Sequence, residues 1–406
     1  RLPDGFDTGR SFLAPRLNQL VVGETARASP ATLQRMRIAV IGCGYLGAVH
    51  AACMAEIGHD VIGLDVDEDR VSRLARGEAP FHEPGFPEIL ARGIAAGRLG
   101  FTTDPGRLAD ADLIFIGVGT PQLSGRLGAD LSQVDAAVET VAEHVNPRPG
   151  SSVLVAGKST VPVGTAQRLA ERLKASGKNF LLAWNPEFLR EGHAVADTLH
   201  PDRIVYGLPE DRSTGDRAKT ILDACYAPML AEDIPLVVAN LPTAELVKVA
   251  ANAFLATKIS FINAMAELCD ATGGDVTRLA EAIGHDDRIG GKFLQAGIGF
   301  GGGCLPKDLR AFMARAGELG IDQALTFLRE VDAINLRRRD HAVTLTEKAV
   351  AGRLAGRKVA VLGITFKPDT DDLRDSPALD ITSRLWARGA EVRVVDPAAG
   401  PELRRR

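Results

Sequence analysis

A six-residue turn, Gly42-Cys43-Gly44-Tyr45-Leu46-Gly47, follows an apolar run at Ile38–Ile41 and leads through helical text to a second run at Val61–Leu64. No other feature constrains the chain as much. Glycines at the first, third and sixth positions permit a tight strand-to-helix turn, let the backbone approach a pyrophosphate, and pack helix on strand. The helix N-terminus then faces the phosphate charge. Asp65 ends the second run, 18 positions after Gly47. An acid there accepts hydrogen bonds from a ribose 2′-OH and repels a 2′-phosphate, so the turn reads as a site for NAD rather than NADP. Runs at Leu113–Val118, Val153–Ala156, Phe180–Ala183 and Arg203–Gly207 alternate with helix-length segments. That is the pattern of βαβ units and a parallel sheet.

The expected fold is α/β, in three parts. Residues 36–238 read as a Rossmann-like NAD domain. Residues 239–355 read as a central helical domain with one long helix from Thr243 to about Ala271. There Leu246, Ala250, Ala253, Thr257, Phe261, Ala264 and Leu268 recur at steps of three or four, a buried helical stripe. A glycine-rich stretch, Gly284 to Pro306, separates it from helical text over Asp308–Ala355, in which Arg337-Arg338-Arg339 reads as a solvated face. Residues 356–406 read as a partial second Rossmann-like domain. KVAVLG at Lys358–Gly363 echoes RIAVIG at Arg37–Gly42, and GAEVRVVD at Gly389–Asp396 echoes GHDVIGLD at Gly58–Asp65. The first copy spans 27 positions from Ile38 to Asp65 and the second 37 from Val359 to Asp396, the excess holding Phe366–Arg374. Residues 1–35 read as a poorly ordered leader without the apolar block of a signal peptide.

Composition narrows the function classes. Hydrophobic residues at 45% and charged residues at 25% are the balance of a globular protein, and a net charge of −4 offers no basic field for nucleic acid or an anionic membrane. The five cysteines are widely spaced with no CxxC, which disfavours a disulfide framework or a metal site and fits a reducing, cytoplasmic compartment. No apolar run approaches the ~20 residues that span a bilayer.

Several segments carry chemistry. Thr120-Pro121, and Lys158-Ser159-Thr160-Val161-Pro162, follow strands at the carboxyl end of the sheet, where ligands collect. Thr120-Pro121 reads equally as a proline-terminated strand. Asn185–Gly192 (NPEFLREG) places Glu187 and Glu191 four apart after a strand, able to orient water or bind sugar hydroxyls. Lys248 and Asn252 share one helix face: beside a substrate they stabilise an oxyanion, and otherwise they are a solvated lysine and a helix-interior amide. Gly299–Asp308 (GFGGGCLPKD) leaves Cys304 reachable, and Lys307 with the following helix N-terminus would favour its thiolate. A dinucleotide fold with a reactive cysteine suggests aldehyde oxidation through a thioester.

In order, these segments resemble the UDP-glucose/GDP-mannose dehydrogenase family, from about Met36 to Pro397. Besides those above, the matching pieces are Ala244–Phe254, Asp287-Arg288-Ile289-Gly290, Gly297–Asp308 and Phe366–Arg374. The resemblance implies NAD-dependent four-electron oxidation of C6 of a nucleotide sugar. Cys304 would form the thiohemiacetal and thioester, Lys248 and Asn252 would stabilise oxyanions, Asp308 would position or activate water, and Thr160 and Glu187 would support that network. NAD would be held by Gly42, Gly44, Tyr45, Leu46, Gly47, Asp65, Arg70, Thr120, Pro121, Ser159, Glu191 and Arg374. The nucleotide sugar would be held by Leu189, Arg190, Glu191, Lys248, Asn252, Arg288, Phe293, Gln295, Phe300, Gly301, Phe366 and Lys367. Arg288 would reach into a neighbouring subunit, which implies a homodimer or higher oligomer with dimerisation through the central domain.

The pieces Asp287–Gly290 and Gly297–Gly302 look like the UDP-glucose branch, giving UDP-glucuronate for polysaccharide synthesis. The GDP-mannose branch more often reads Pro-Gly-Phe-Ala-Phe-Gly-Gly before its cysteine, and the UDP-N-acetylmannosamine branch Gly-His-Cys. Two departures stand out. Gln295 replaces a lysine found in some relatives, and the chain ends at Arg406 where family members continue the UDP-sugar domain. An inactive nucleotide-binding homologue is the alternative this second departure suggests, and a simple two-electron alcohol dehydrogenase is a third.

Overall fold

A computed structural model describes residues 35–399. The leader expected over 1–35 falls, but for Arg35, outside them. In chain order the first elements are β1 (Arg37–Ile41), α1 (Tyr45–Glu56), β2 (Asp60–Leu64), α2 (Glu68–Ala75), α3 (Phe86–Ala95), β3 (Leu99–Thr102) and β4 (Leu113–Ile116). Then come α4 (Ser132–His144), β5 (Val153–Gly157), α5 (Thr165–Ala175), β6 (Phe180–Trp184), α6 (Ala194–Leu199), β7 (Ile204–Leu208), α7 (Arg212–Cys225), α8 (Ala227–Leu230) and β8 (Leu236–Asn240). The eight strands form one sheet in the order β3-β2-β1-β4-β5-β6-β7-β8. Strand order reverses between β1 and β4, so the crevice at their carboxyl ends is where such a sheet takes a ligand.

Central strands read as continuous apolar runs because both faces are covered. One face packs Ile38, Val40, Leu113 and Phe115 against α1, and the other packs Ala39, Ile41, Ile114 and Ile116 against α4 and α5. Helix α1 is apolar all round, with Gly47 through Ala55 buried. The sheet is not wholly parallel, as the alternating text suggested: β6 and β7 meet antiparallel through Trp184 and Gly207. Strands β3 and β8 are additions to the expected set; Leu-Gly-Phe-Thr is short, and Leu236–Asn240 is half exposed at an edge.

The rest comprises α9 (Leu241–Thr272), α10 (Val276–Gly284), α11 (Leu305–Glu318), α12 (Phe327–Ala349), β9 (Lys358–Leu362), α13 (Pro377–Ala387) and β10 (Glu391–Val395). Strands β9 and β10 pair in parallel across α13, a single βαβ unit. Helix α9 is long and apolar enough to cross a membrane, with mean hydropathy 1.3 over its best window, so the expectation of no such run needs correcting. It nevertheless buries Glu245, Lys248 and Asn252, and it packs on α11 and α12 through Ala253, Ala256, Leu309, Leu328 and Val331. The expected buried stripe is also corrected. Phe261 and Leu268 are exposed, and the buried face instead runs through Ala244, Lys248, Asn252, Ala256, Ser260 and Asn263. Apolar residues occur all around α9, so periodicity alone did not select the face. Arg337–Arg339 is not a solvated face either: Arg339 is 4% exposed and pairs with Asp375 and Asp380.

Candidate active site

Cys304 occupies the N-cap position of α11 at the end of the glycine-rich loop, without a side-chain capping bond, and is exposed, while the other four cysteines are buried. The loop is held from below by buried amides. Asn335 accepts the Phe300 N–H at 2.7 Å and donates to the Phe300 carbonyl at 3.0 Å, and Asn263 accepts the Gly297 N–H at 2.8 Å. The C-terminal segment covers it from the other side. An added Cβ on Gly303 would lie 2.3 Å from the Arg374 guanidinium carbon, and one on Gly302 would lie 2.7 Å from the Phe366 ring. The glycines therefore allow close approach of backbone to these side chains, directly beside Cys304.

Around the thiol lie two buried polar chains. Lys248 Nζ pairs with Glu187 Oε1 at 2.9 Å. Glu187 Oε2 in turn accepts the Leu189 N–H at 2.7 Å. Asn252 Nδ2 donates to Asp308 Oδ2 at 2.7 Å, Lys307 Nζ donates to Asp308 Oδ1 at 2.5 Å and to Thr120 Oγ1 at 3.4 Å, and Thr120 donates to the Thr160 carbonyl at 2.8 Å. Thr120, Thr160, Val161, Leu246, Lys307 and Asp308 line one cleft between the sheet and α9/α11. Burial works to lower the Lys248 pKa, but Glu187 above all, with Cys304 and Asp308, holds it above its ordinary value, so it is a cation. Although the residue is exposed at its edge, the protein packed around the sulfur, then Asp308, push Cys304 up to about 11, against the opposing pull of Lys248 and Lys307.

At the crevice between β1 and β4, Gly42 has φ +90, and a Cβ there would lie 2.7 Å from Val118 Cγ1. A Cβ on Gly47 would lie 1.8 Å from the Gly42 carbonyl, whereas one on Gly44 meets nothing within 4 Å. Gly44 supplies no side-chain cap, so the first N–H groups of α1 face the open side. Asp65 is buried and accepts the Cys43 N–H at 2.7 Å.

Sequence models of the UDP-glucose/GDP-mannose dehydrogenase family match three consecutive stretches: its NAD binding domain at residues 36–230, its central domain at 242–337 and its UDP binding domain at 360–406. The chain belongs to the UDP-glucose/GDP-mannose dehydrogenase family. A UDP-glucose 6-dehydrogenase of Bacillus subtilis is 44% identical over 370 residues, 90% of this chain and 77% of that protein. One from Rhizobium meliloti is 43% identical over 365 residues, 89% and 82% respectively. Among solved structures, a UDP-glucose dehydrogenase from Pyrobaculum islandicum superposes with TM-score 0.86 at 41% identity, covering 93% of this chain and 85% of that one. A UDP-D-ManNAc dehydrogenase from Pyrococcus horikoshii gives 0.79 at 30%, covering 89% and 84%.

NAD is the cofactor of this family member, and the crevice fits it. The unobstructed Gly44, the uncapped start of α1 and the buried Asp65 offer close approach, phosphate donors and a ribose acceptor. Several residues expected to bind NAD also have protein partners. Both Asp65 oxygens take Arg70 at 3.1 Å, and Ser159 Oγ donates to the Val118 carbonyl at 2.7 Å, tying two loops together. The Tyr45 hydroxyl is bonded to Glu83 and Gly192, while Leu46 is half-buried and Pro121 exposed. Glu191 and Arg374 pair at 3.0 Å, and burial, then Asp372, raise Glu191 to about 7.

The residues expected to hold the sugar divide into two sets. Glu191 and Lys367 come together, with Lys367 donating to the Glu191 carbonyl, while the Phe366 ring lies against Gly302 and Leu189 packs on the core beneath the sheet. Gly301 lies under Asp375 and Pro377. Arg190 is turned away onto Asp197 at 2.6 Å. The Phe300 side chain is buried among Ala253, Ala256, Leu309 and Val331, which leaves its backbone to line the loop. Arg288 is 89% exposed and paired with Asp286, and Phe293 and Gln295 are exposed; among the described residues none hydrogen-bonds to the Cys304 cluster. Sequence reading missed Asn335 and Arg339, which shape the loop from α12. No local pattern marks them, since their partners lie more than thirty positions away.

Proposed function

We propose that the chain oxidises UDP-glucose at C6 to UDP-glucuronate, consuming two NAD per sugar through a covalent intermediate on Cys304. The observation that carries this reading is one reachable cysteine set beside a buried Lys248–Glu187 pair and a buried Asn252–Asp308–Lys307 cluster. When bound, NAD supplies the hydride acceptor for each of the two oxidations. Once C6 is an aldehyde, the Cys304 sulfur attacks its carbon. A thiol with a pKa of about 11 must lose its proton during attack, and Asp308 is the carboxylate beside it. The carbonyl oxygen becomes an oxyanion, and the Lys248 ammonium and Asn252 amide stabilise it. Loss of a second hydride leaves a thioester. Asp308 then orients a water that attacks the thioester carbon, and the C–S bond breaks to release the carboxylate and return the proton to sulfur. Thr160, Thr120 and Glu187 hold these groups in place. Leu189–Glu191, Phe366 and Lys367 hold the nucleotide sugar.

The working unit is a dimer in this reading. Phe254, Phe261 and Leu268 stand exposed at seven-residue steps along α9, and Arg288 extends free of its own site. Free thiols and a nicotinamide cofactor fit the cytoplasm, with the product serving polysaccharide synthesis. The test counts NADH per UDP-glucose consumed. Two per sugar from the parent, with Cys304→Ser stalling below that ratio, supports the proposal. A ratio of one in the parent refutes the thioester route, and turnover of GDP-mannose or a UDP-N-acetylhexosamine in place of UDP-glucose refutes the substrate.

A further inference from the structure

One buried carboxylate has no part in the chemistry above. Glu83, in Phe81-His82-Glu83-Pro84-Gly85 between α2 and α3, is 2% exposed, and no Lys or Arg pairs with it among the described residues. Such a carboxylate is costly to bury unless it is fully hydrogen-bonded. Its Oε2 accepts the Gly192 N–H at 2.6 Å and its Oε1 accepts the Ala194 N–H at 2.7 Å. The hydroxyl of Tyr45, the first residue of α1, donates to Oε2 and accepts the Gly192 N–H at 2.9 Å.

Three segments meet at this carboxylate. The first is the cofactor turn, through Tyr45. The second is the loop from Glu187 to Gly192, which pairs with Lys248 at one end and with Arg374 and Lys367 at the other. The third is the C-terminal segment. His82 N–H donates to Asp371 at 3.1 Å, and Gly192, at φ +83, lies against the Asp369 carbonyl, where a Cβ would come within 2.7 Å.

We propose that Glu83 is a positioning residue that locks the Glu187–Gly192 loop onto the first residue of α1, so that the cofactor turn preorganises the nucleotide-sugar site. At 2% exposure it has no surface to offer a ligand and acts through the loop. The inference rests on the reading of Leu189–Glu191 as sugar-binding. A loop already held in place binds without paying its ordering entropy. In Glu83→Gln an amide N–H₂ faces one of the two backbone donors, which leaves that donor unsatisfied and removes the charge from the other bond.

The experiment is calorimetric binding of UDP-glucose and of NAD, each alone, to the full chain in parent, Glu83→Gln and Tyr45→Phe forms, with melting curves and steady-state kinetics. The expected result for Glu83→Gln is a Kd for UDP-glucose raised about tenfold, a Kd for NAD changed less than about threefold, and a loss carried in KM more than in kcat. Tyr45→Phe keeps both carboxylate–backbone bonds, so its UDP-glucose Kd rises only about threefold. A parent that binds NAD but not UDP-glucose overturns the substrate reading itself. A parent that binds UDP-glucose, with a folded Glu83→Gln that binds it equally well, overturns the role of Glu83 alone. Equal weakening of both ligands together with a lowered melting temperature shows a general structural role and also overturns it. Should Glu83→Gln not fold, Tyr45→Phe decides: an unchanged UDP-glucose Kd refutes the proposal.

Discussion

Arg339 joins α12 to three elements through one guanidinium. Nη1 reaches Asp380 on α13 at 3.1 Å, and Nη2 reaches Asp375 Oδ1 at 2.9 Å and the Phe300 carbonyl at 3.4 Å. Phe300 and Gly301 lie in the loop that delivers Cys304, so this cation sets both stability and site geometry. In Arg339→Met the stem volume is kept and the fork is lost. Removing one partner of a buried ion pair costs roughly 3–5 kcal/mol when the other charge is stranded. Here neither carboxylate is stranded, because Asp375 keeps Arg310 at 3.5 Å and Asp380 keeps Arg384 at 2.9 Å. The cost therefore falls below that range, at about 2 kcal/mol. With a urea m-value of about 3 kcal/mol/M, that moves the unfolding midpoint down by about 0.7 M. Urea titration followed by circular dichroism measures it, and kcat/KM measured in parallel falls with it. Arg339→Lys does not rescue, since an ammonium cannot bridge two carboxylates and a carbonyl as a planar fork does. A midpoint within about 0.3 M of the parent, at full activity, would refute the reasoning.

Three other outcomes follow from the site. Iodoacetamide should alkylate Cys304 at a rate that climbs about tenfold per pH unit from 6.5 to 9.5 without levelling, because the thiol titrates at about 11; Asp308→Asn should lower the midpoint, and a parent plateau below pH 8.5 contradicts the assignment. Lys248→Met removes the cation held by Glu187 and should lower kcat by about 10²–10³ with NAD affinity kept; a kcat within tenfold of the parent argues against an oxyanion role. Lys158, buried against Phe115 and bonded to Asn185 Oδ1 at 2.9 Å and Tyr226 at 3.2 Å, is pushed by burial from 10.5 down to about 8. Between those values the unfolded chain binds the proton and the native state does not, so this group's contribution rises with pH, is complete above 10.5, and is lost as pH falls through about 8. The parent should gain up to about 3 kcal/mol over that window relative to Lys158→Met; parallel stability–pH curves for the two would exclude it.

What the sequence determined by itself was local. The glycine turn after β1, the acid at the end of β2, the strand-helix alternation and a cysteine behind successive glycines each depend on residues within a few positions of one another. So does the repeat of RIAVIG in KVAVLG, which form β1 and β9, the latter paired in parallel with β10 across α13. What only the tertiary structure decided was long-range. An arginine triplet reads as solvated until Asp375 and Asp380, 36 and 41 positions from Arg339, fold back against it. An all-round apolar α9 shows which face is buried only once α11, α12 and the sheet have docked on it, and that docking turns Lys248 and Asn252 inward while leaving Phe261 and Leu268 outside. The thiol's surroundings depend on the same assembly: Lys307 was visible in the text, but the protein packed around the sulfur, Asp308, Lys248 and Glu187 act on it only in the folded cleft. Backbone preferences and side-chain periodicity act over a few residues, whereas burial and charge pairing are properties of surfaces that exist only after distant segments meet.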